Sequence, residues 1–553
     1  MSQLLDPTSN ESKYAKLASA AIVGAATPTS VRLWFRVYLP GEWVLVVTSQ
    51  PLTGDLMRLD ELGVADFLKA QKIKPVFSQA RVFSYDSDLT GVFDVTGLKP
   101  QTSYYYALIS AQTDRAIIRR RTEIGGDTPK LFMTPASNPE SLTFGFYSCH
   151  DPISADGSAG AWPLLHQQLQ DQRAQFVIGG GDQVYVDTNR KNGFLDIWEW
   201  LKTNKQALLD KYRRGNGSYD KAGIELYLLN LYRWFYRVYW NVPTQREVYE
   251  RFPQYMIWDD HEIMDGWGSL TLKERQSRIS LLFESAATPT NTMLVDLMWR
   301  AACRAYYEYE HSHNPTTHID LNDPDACIWD YAFEQGGSAF YVLDMRGQHD
   351  IEKPGDPFLI LGSAQMQRFE QWLASPAVQQ AKAVFIVSPV PVVHWRSAVS
   401  NYADIGSLKD DCMDGWEHDT NLKERRALLD RVYTALGKRG VVVTFLSGDV
   451  HSAGVFRLLH KDYPAAKVFQ VTSSAVSRMP APEALKVAIS PGGEMSGMPK
   501  VHYERWYAMA GWKNFALLCV RPSLDGTQTE VLVELHWPNG DDGEVTKRRV
   551  LLK

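Results

Sequence analysis

Four apolar runs in this sequence end in side chains that can bind metal ions. Residues 142–147 lead into Ser148-Cys149-His150-Asp151, and residues 176–178 lead through Gly179-Gly180-Gly181 into Asp182-Gln183-Val184-Tyr185. Residues 255–258 lead into Asp259-Asp260-His261-Glu262, and residues 441–446 lead through Ser447-Gly448 into Asp449-Val450-His451. A Gly-Asp pair after one strand is an ordinary turn and carries little weight. Four such ends imply side chains gathered in one place, because ligands of α/β folds bind just beyond the carboxyl ends of strands.

The residue types divide by hardness. Cys149, Tyr185 and His451 offer thiolate, phenolate and imidazole, which favour a transition metal. Asp182, Asp260 and Asp449 offer hard oxygens, which favour Mg²⁺, Ca²⁺ or Mn²⁺. An aspartate between the two sets would bridge a binuclear centre. Two ions about 3.5–4 Å apart clamp a phosphoryl group and generate hydroxide near neutral pH. The glycines before Asp182 let backbone and ligand approach closely.

The elements that must position these groups follow from patterning. Beyond residue 141, apolar runs alternate with helical patterns, as in a layered α/β domain. Ahead of it, residues 31–37, 43–47 and 80–85 are short strand-like segments rich in β-branched and aromatic residues. The run Gly97-Leu98-Lys99-Pro100-Gln101-Thr102-Ser103-Tyr104 resembles the strand-turn-strand corner of fibronectin type III-like sandwiches. The expected division is a small all-β sandwich over residues 1–138 and a catalytic domain over 139–553. A helical, aromatic-rich insertion spans 187–253. Within it, residues 224–240 read as one helix with Tyr232, Trp234, Phe235, Tyr236, Tyr239 and Trp240 on nearly every face, either buried or closing over substrate. Residues 271–310 read as a second long helical stretch, and residues 515–520 with 530–536 as a hairpin.

Composition narrows the function classes. The 553 residues carry 44% hydrophobic and 22% charged side chains, an ordinary globular balance. A formal net charge of −6 argues against a nucleic-acid-binding scaffold. Five scattered cysteines (Cys149, Cys303, Cys327, Cys412 and Cys519) argue against a disulfide framework and fit a reducing compartment. No run reaches the roughly 20 apolar residues of a membrane span. The N-terminal residues lack the basic start and apolar core of a signal peptide, so the cytoplasm is the expected address unless a leader was trimmed. No heptad or isolated apolar stripe specifies an oligomer.

The motifs Ser148-Cys149, Gly181-Asp182-x-x-Tyr185, Trp258-Asp259-Asp260-His261-Glu262, Leu343-Asp344-x-Arg346 and Ser447-Gly448-Asp449-Val450-His451 together resemble those of the PhoD-like alkaline phosphatases. That family belongs to the calcineurin-like metallophosphoesterase superfamily, and residues 362–373 resemble its helix. The resemblance implies a four-layer αββα catalytic domain. It further implies Fe³⁺ held by Cys149, Asp182, Tyr185 and His451, and Ca²⁺ held by Asp182, Asp260 and Asp449, with Mn, Mg or Zn as substitutes. Asp260 and Asp449 stand where the wider superfamily has Asn and His, which hardens the second site. Residues 388–391 lack the superfamily's additional ligand histidine. His150 departs from the family's smaller residue and reads as a bystander. The implied activity is hydrolysis of small phosphate esters, mono- or diester, by a metal-bound hydroxide, with Cys149 a ligand. His261 is the candidate for binding the phosphoryl oxygen and protonating the leaving group. Its alternative is a structural histidine bonded to Asp259. Arg346 is a substrate candidate, with an ion pair to Asp344 as the other reading. Rival activities are a diesterase of phospholipid- or nucleotide-type substrates and a non-haem iron oxidoreductase.

Overall fold

The computed structural model describes residues 16–51, 66, 69, 72–111, 122–124, 130–153, 159–187, 196–281, 287–353, 355–396, 413–539 and 544–553. Its first eight strands are β1 (Ala20–Thr27), β2 (Ser30–Arg36), β3 (Gly41–Thr48), β4 (Phe77–Phe83), β5 (Thr90–Thr96), β6 (Ser103–Ser110), β7 (Thr122–Ile124) and β8 (Lys130–Met133). They form a sheet ordered β1-β2-β5 and a second ordered β4-β3-β6-β7, with β8 also on β6. Alternation points Leu33, Phe35 and Phe93 of one sheet at Leu45, Val47 and Tyr106 of the other. The corner read from residues 97–104 is closed by Tyr104, whose hydroxyl accepts the Lys99 N–H at 2.8 Å.

Fourteen strands follow: β9 (Leu142–Tyr147), β10 (Phe176–Gly180), β11 (Gln254–Ile257), β12 (Tyr331–Gln335), β13 (Ser338–Val342), β14 (Ala383–Val387), β15 (Val442–Ser447), β16 (Ala453–His460), β17 (Tyr463–Ser473), β18 (Gly492–Met495), β19 (Met498–Met509), β20 (Phe515–Pro522), β21 (Thr529–Asn539) and β22 (Glu544–Leu552). One sheet runs β11-β10-β9-β20-β21-β22, the other β12-β13-β14-β15-β17-β16-β19-β18. β10 runs parallel to β9 and β11, and β15 runs parallel to β14 and β17, while β9 is antiparallel to β20. The expected hairpin is the antiparallel pair β20–β21. Between the sheets, Phe144 packs edge-on against Phe340 and Phe385, with ring centroids 5.4 and 5.1 Å apart.

The helices are α1 (Trp162–Asp171), α2 (Ile197–Lys211), α3 (Lys221–Tyr239), α4 (Pro243–Tyr249), α5 (Leu272–Arg278), α6 (Pro289–Tyr309), α7 (Gly362–Leu373), α8 (Pro376–Gln379) and α9 (Leu422–Leu436). Leu169 of α1 reaches the outer face of the first sheet at Gly145. Met366 and Phe369 of α7 and Leu428 and Val432 of α9 cover the outer face of the second. The layers are therefore helix, sheet, sheet, helix, as the motifs implied. Among the described residues, the helical stretch 271–310 is made of two helices, α5 and α6. A Thr288 cap that accepts the Asn291 N–H at 3.1 Å, followed by Pro289, starts α6 afresh. Tyr232, Trp234, Phe235, Tyr236 and Tyr239 of α3, and Trp240 just beyond it, are buried. Tyr232 donates to the Ile263 carbonyl at 3.0 Å, and Trp240 to the Gln183 carbonyl at 3.2 Å. The helix braces two site loops from behind. Cys303 and Cys327 are buried and Cys519 partly so; Cys412 lies outside the described residues. Among the described residues, no helix is long and apolar enough to cross a membrane.

Candidate metal centre

Each expected ligand sits in the turn beyond its strand. Cys149 follows β9, Asp182 and Tyr185 follow β10, Asp260 and His261 follow β11, and Asp449 and His451 follow β15. Three of these strands lie in one sheet and the fourth in the other, so the site straddles both. Aiming the side chains into one space strains the chain. Cys149, Asp182, Asp449 and His451 have φ of 56°, 57°, 64° and 49°. A left-handed conformation costs a residue with a Cβ about 1–2 kcal/mol and is typically held at functional sites. Backbone bonds hold it here: the Cys149 N–H donates to the Gly181 carbonyl at 3.1 Å and the His150 N–H to the Asp182 carbonyl at 2.7 Å.

The donor atoms converge. Cys149 Sγ lies 3.3 Å from Asp182 Oδ2, and the Tyr185 hydroxyl donates to the same oxygen at 2.9 Å. That hydroxyl is 3.3 Å from His451 Nε2. Ligand atoms of Cys149, Asp182 and His451 lie within 4.8 Å of one another, and so do those of Asp182, Asp260 and His261. Asp182 belongs to both groups. Asp449 joins neither at that distance, although its backbone carbonyl is 3.9 Å from Cys149 Sγ. Its carboxyl still feels the cluster: burial, then Asp259, Asp260 and Asp182, push its pKa well above the usual range.

Burial and mutual repulsion likewise raise the pKa of Asp182. Burial and the Asp182 charge hold the Cys149 thiol and Tyr185 phenol protonated. Asp260 is the exception: against its burial, Arg346 and His261 hold its pKa down. Burial, then the Arg478 and His261 cations, lower His451 to about 3, which leaves a neutral imidazole suited to ligation. One buried oxygen, Asp182 Oδ1, has no hydrogen-bond partner among the described residues. Crowded carboxylates, a thiol, a phenol and a neutral imidazole around an orphaned oxygen are a donor set that cations would satisfy. The residues fit metal ions.

A family model for PhoD-like phosphatase matches residues 144–507. The chain belongs to the PhoD-like phosphatase family. It is 25% identical over 355 residues to the uncharacterized protein YGR266W of Saccharomyces cerevisiae, covering 57% of this chain and 50% of that one. It is 21% identical over 264 residues to alkaline phosphatase D of Bacillus subtilis, covering 48% of this chain and 36% of that protein. These matches span half or less of the relatives' length. A solved structure of PhoD superposes with a TM-score of 0.62 at 16% identity, covering 98% of this chain and 90% of that one, a likeness of fold.

In this PhoD-like chain the supporting residues are partly ones that spacing did not announce. His261 bonds not to Asp259 but to Asp187, Nδ1 to Oδ1 at 2.8 Å. Asp187 lies two positions past Tyr185, at the edge of the insertion, where the Tyr-x-Asp spacing was the available signal. Arg478, in the loop beyond β17, ion-pairs with Asp151 and lays its guanidinium over the Tyr185 ring at 4.3 Å. Glu262 accepts the Asp259 N–H at 2.9 Å and also the Gln183 N–H, so it ties two site loops together. Arg346 pairs neither with Asp344's carboxylate nor with open space. It is 1% exposed, with Nε 2.5 Å from Asp259 and Nη1 2.9 Å from Asp414. Buried among carboxylates, it neutralises the cluster from within, which corrects the expectation of a substrate contact. His150 is held by the Trp162 indole N–H at 2.9 Å and by the Tyr239 carbonyl at 2.9 Å, a packing role.

Proposed function

We propose that this chain hydrolyses phosphate esters, with metal ions held by Cys149, Asp182, Tyr185, Asp260, Asp449 and His451 and with His261 acting at the reacting phosphate. The observation that carries the reading is that Asp182 is shared by two donor groups, one with thiol and imidazole, the other with a second carboxylate and His261. By the family resemblance Fe³⁺ would take Cys149, Asp182, Tyr185 and His451, and Ca²⁺ would take Asp182, Asp260 and Asp449; the donor types agree with a transition metal at the first set and an oxygen-preferring ion at the second. When bound, such ions supply Lewis-acid stabilisation of the phosphoryl group and acidify water.

The chain's own residues would do the rest. Asp187 fixes the His261 ring through Nδ1, and Nε2 carries no hydrogen bond to a described residue. That nitrogen is the atom able to donate a proton to the leaving oxygen. Burial opposes its charge, but Asp187, Asp260 and Asp182 overcome this and raise the His261 pKa well above its ordinary value. Arg478, 19% exposed at its side chain, brings a second cation to Tyr185 and is the arginine placed to meet an anionic substrate.

Chromogenic mono- and diesters of phosphate, assayed side by side with metal content and visible spectrum, test the proposal. Ester cleavage by an iron-containing protein is expected, with a phenolate-to-metal band that Tyr185→Phe abolishes. Full activity in iron-free protein sinks the iron assignment, and no cleavage of either ester sinks the hydrolase. Oxygen uptake with an organic substrate and no phosphate release would favour the oxidoreductase rival.

A further inference from the structure

Ser474 stands directly after β17 and is buried, and its hydroxyl meets two of the proposed ligands at once. It donates to Cys149 Sγ at 3.0 Å and accepts the His451 N–H at 3.2 Å. Cys149 sits in the turn beyond β9 and His451 in the turn beyond β15, so one oxygen joins a ligand loop of each sheet.

The hydroxyl is held in place from several sides. Asn514, just ahead of β20, donates to the Ser474 carbonyl at 2.6 Å, and its Oδ1 accepts the Ser473 hydroxyl at 2.8 Å. The Ser474 N–H donates to the Ser452 carbonyl at 3.2 Å, and the Val476 N–H to the Ser148 carbonyl at 2.9 Å. Ser473 and Asn514 are buried as well. Ser148 also approaches Cys149 Sγ, at 3.3 Å, but its hydroxyl has the Ser473 carbonyl as a second acceptor at 3.3 Å. Ser474 is the hydroxyl whose proton is aimed at the sulfur.

We propose that Ser474 is a positioning residue of the transition-metal site, acting through Cys149. It fixes the sulfur relative to His451 and restrains the charge that the thiolate gives to an ion it holds. Hydrogen bonds to ionised acceptors are stronger than neutral ones, and bonds to ligand sulfurs tune the potential of the iron beyond them. Without the hydroxyl the sulfur donates more charge, which favours Fe³⁺ over Fe²⁺ and makes the ion a weaker Lewis acid. The inference rests on the assignment of iron to Cys149, Asp182, Tyr185 and His451.

A redox titration of the iron-loaded full chain, with its Raman spectrum, tests it without turnover. Ser474→Ala should shift the equilibrium about tenfold toward Fe³⁺, about 59 mV for one electron, and raise the iron–sulfur stretching frequency. Ser474→Thr keeps a hydroxyl and should restore both. Wild-type protein free of iron overturns the iron assignment and this inference with it. Iron-loaded Ser474→Ala with potential and frequency unmoved overturns this inference alone. Should that variant fail to fold or to hold iron, the wild-type Raman band decides. It should shift in protein prepared in deuterated medium, and a band that stays in place overturns the O–H···S contact.

Discussion

In the proposed function, the centre depends on one histidine with carboxylates around it. The clustered negative charge stabilises His261 as an imidazolium, and Asp187 both orients the ring and supplies the largest share of that support. Cations among Asp182 and Asp260 would withdraw the support of those two carboxylates, leaving Asp187 to hold the proton in place. His261→Ala should lower kcat by about 10²–10⁴-fold, the usual worth of a positioned acid, with metal content retained. Asp187→Asn should lower kcat by about tenfold or more with metal content retained, because it disturbs the ring and not a proposed ligand. Steady-state kinetics with elemental analysis check both. Loss of metal in His261→Ala would show the ring to be a ligand instead.

At the scale of elements, strand ends aim the ligands and loops lock them. The Asp344 carboxylate accepts the Trp258 indole N–H at 2.8 Å and the Arg346 N–H at 3.0 Å. Gln365 on α7 in turn clamps the Asp344 backbone, accepting its N–H at 2.9 Å and donating to its carbonyl at 2.8 Å. The Leu343-Asp344-x-Arg346 motif and Gln365 of α7 are thus one brace beneath β11. Gly181 is a tight joint: its φ is 108°, and an added Cβ would stand 2.8 Å from Asp259 Cβ. Gly181→Ala should cost about 1–3 kcal/mol of stability from the strained backbone and the contact. It should also lower metal occupancy, because Asp182 follows directly. Denaturant melts and metal analysis check this, and a variant with wild-type midpoint and metal content would refute it.

Across the molecule, the N-terminal sandwich is fastened to the helices behind the site. Trp34 of β2 donates to the Glu308 carbonyl at 2.7 Å, and Asp88 takes Arg36 at 3.2 Å and Arg237 at 2.6 Å. Glu308 holds Arg233 through two bonds of 2.6 and 2.7 Å, and Arg233 also donates to the Asp86 carbonyl. Arg233 is 1% exposed, so its partner cannot be removed cheaply. Glu308→Ala should destabilise the protein by about 3–5 kcal/mol by leaving a buried charge unpaired. Arg233→Met with Glu308→Leu should recover much of that loss. Urea midpoints decide it, and equal stability of the single and double variants would show that the pair is not what holds this junction.

The candidate ligands stood out in the sequence because each follows an apolar run, and period and polarity are local properties. The same holds for the layered α/β character, since alternating strand and helix patterns specify it; the order of the layers followed from the motifs' resemblance, and for the aromatic helix α3 the sequence left burial and closure over substrate both open. Partnership was not legible. Asp187, Arg478 and the carboxylates around Arg346 lie tens to hundreds of positions from what they touch, in loops with no period to read. Only tertiary packing decided that Arg346 faces inward among Asp259, Asp260 and Asp414 and that His261 leans on Asp187, because charge and desolvation depend on distance in space and not along the chain.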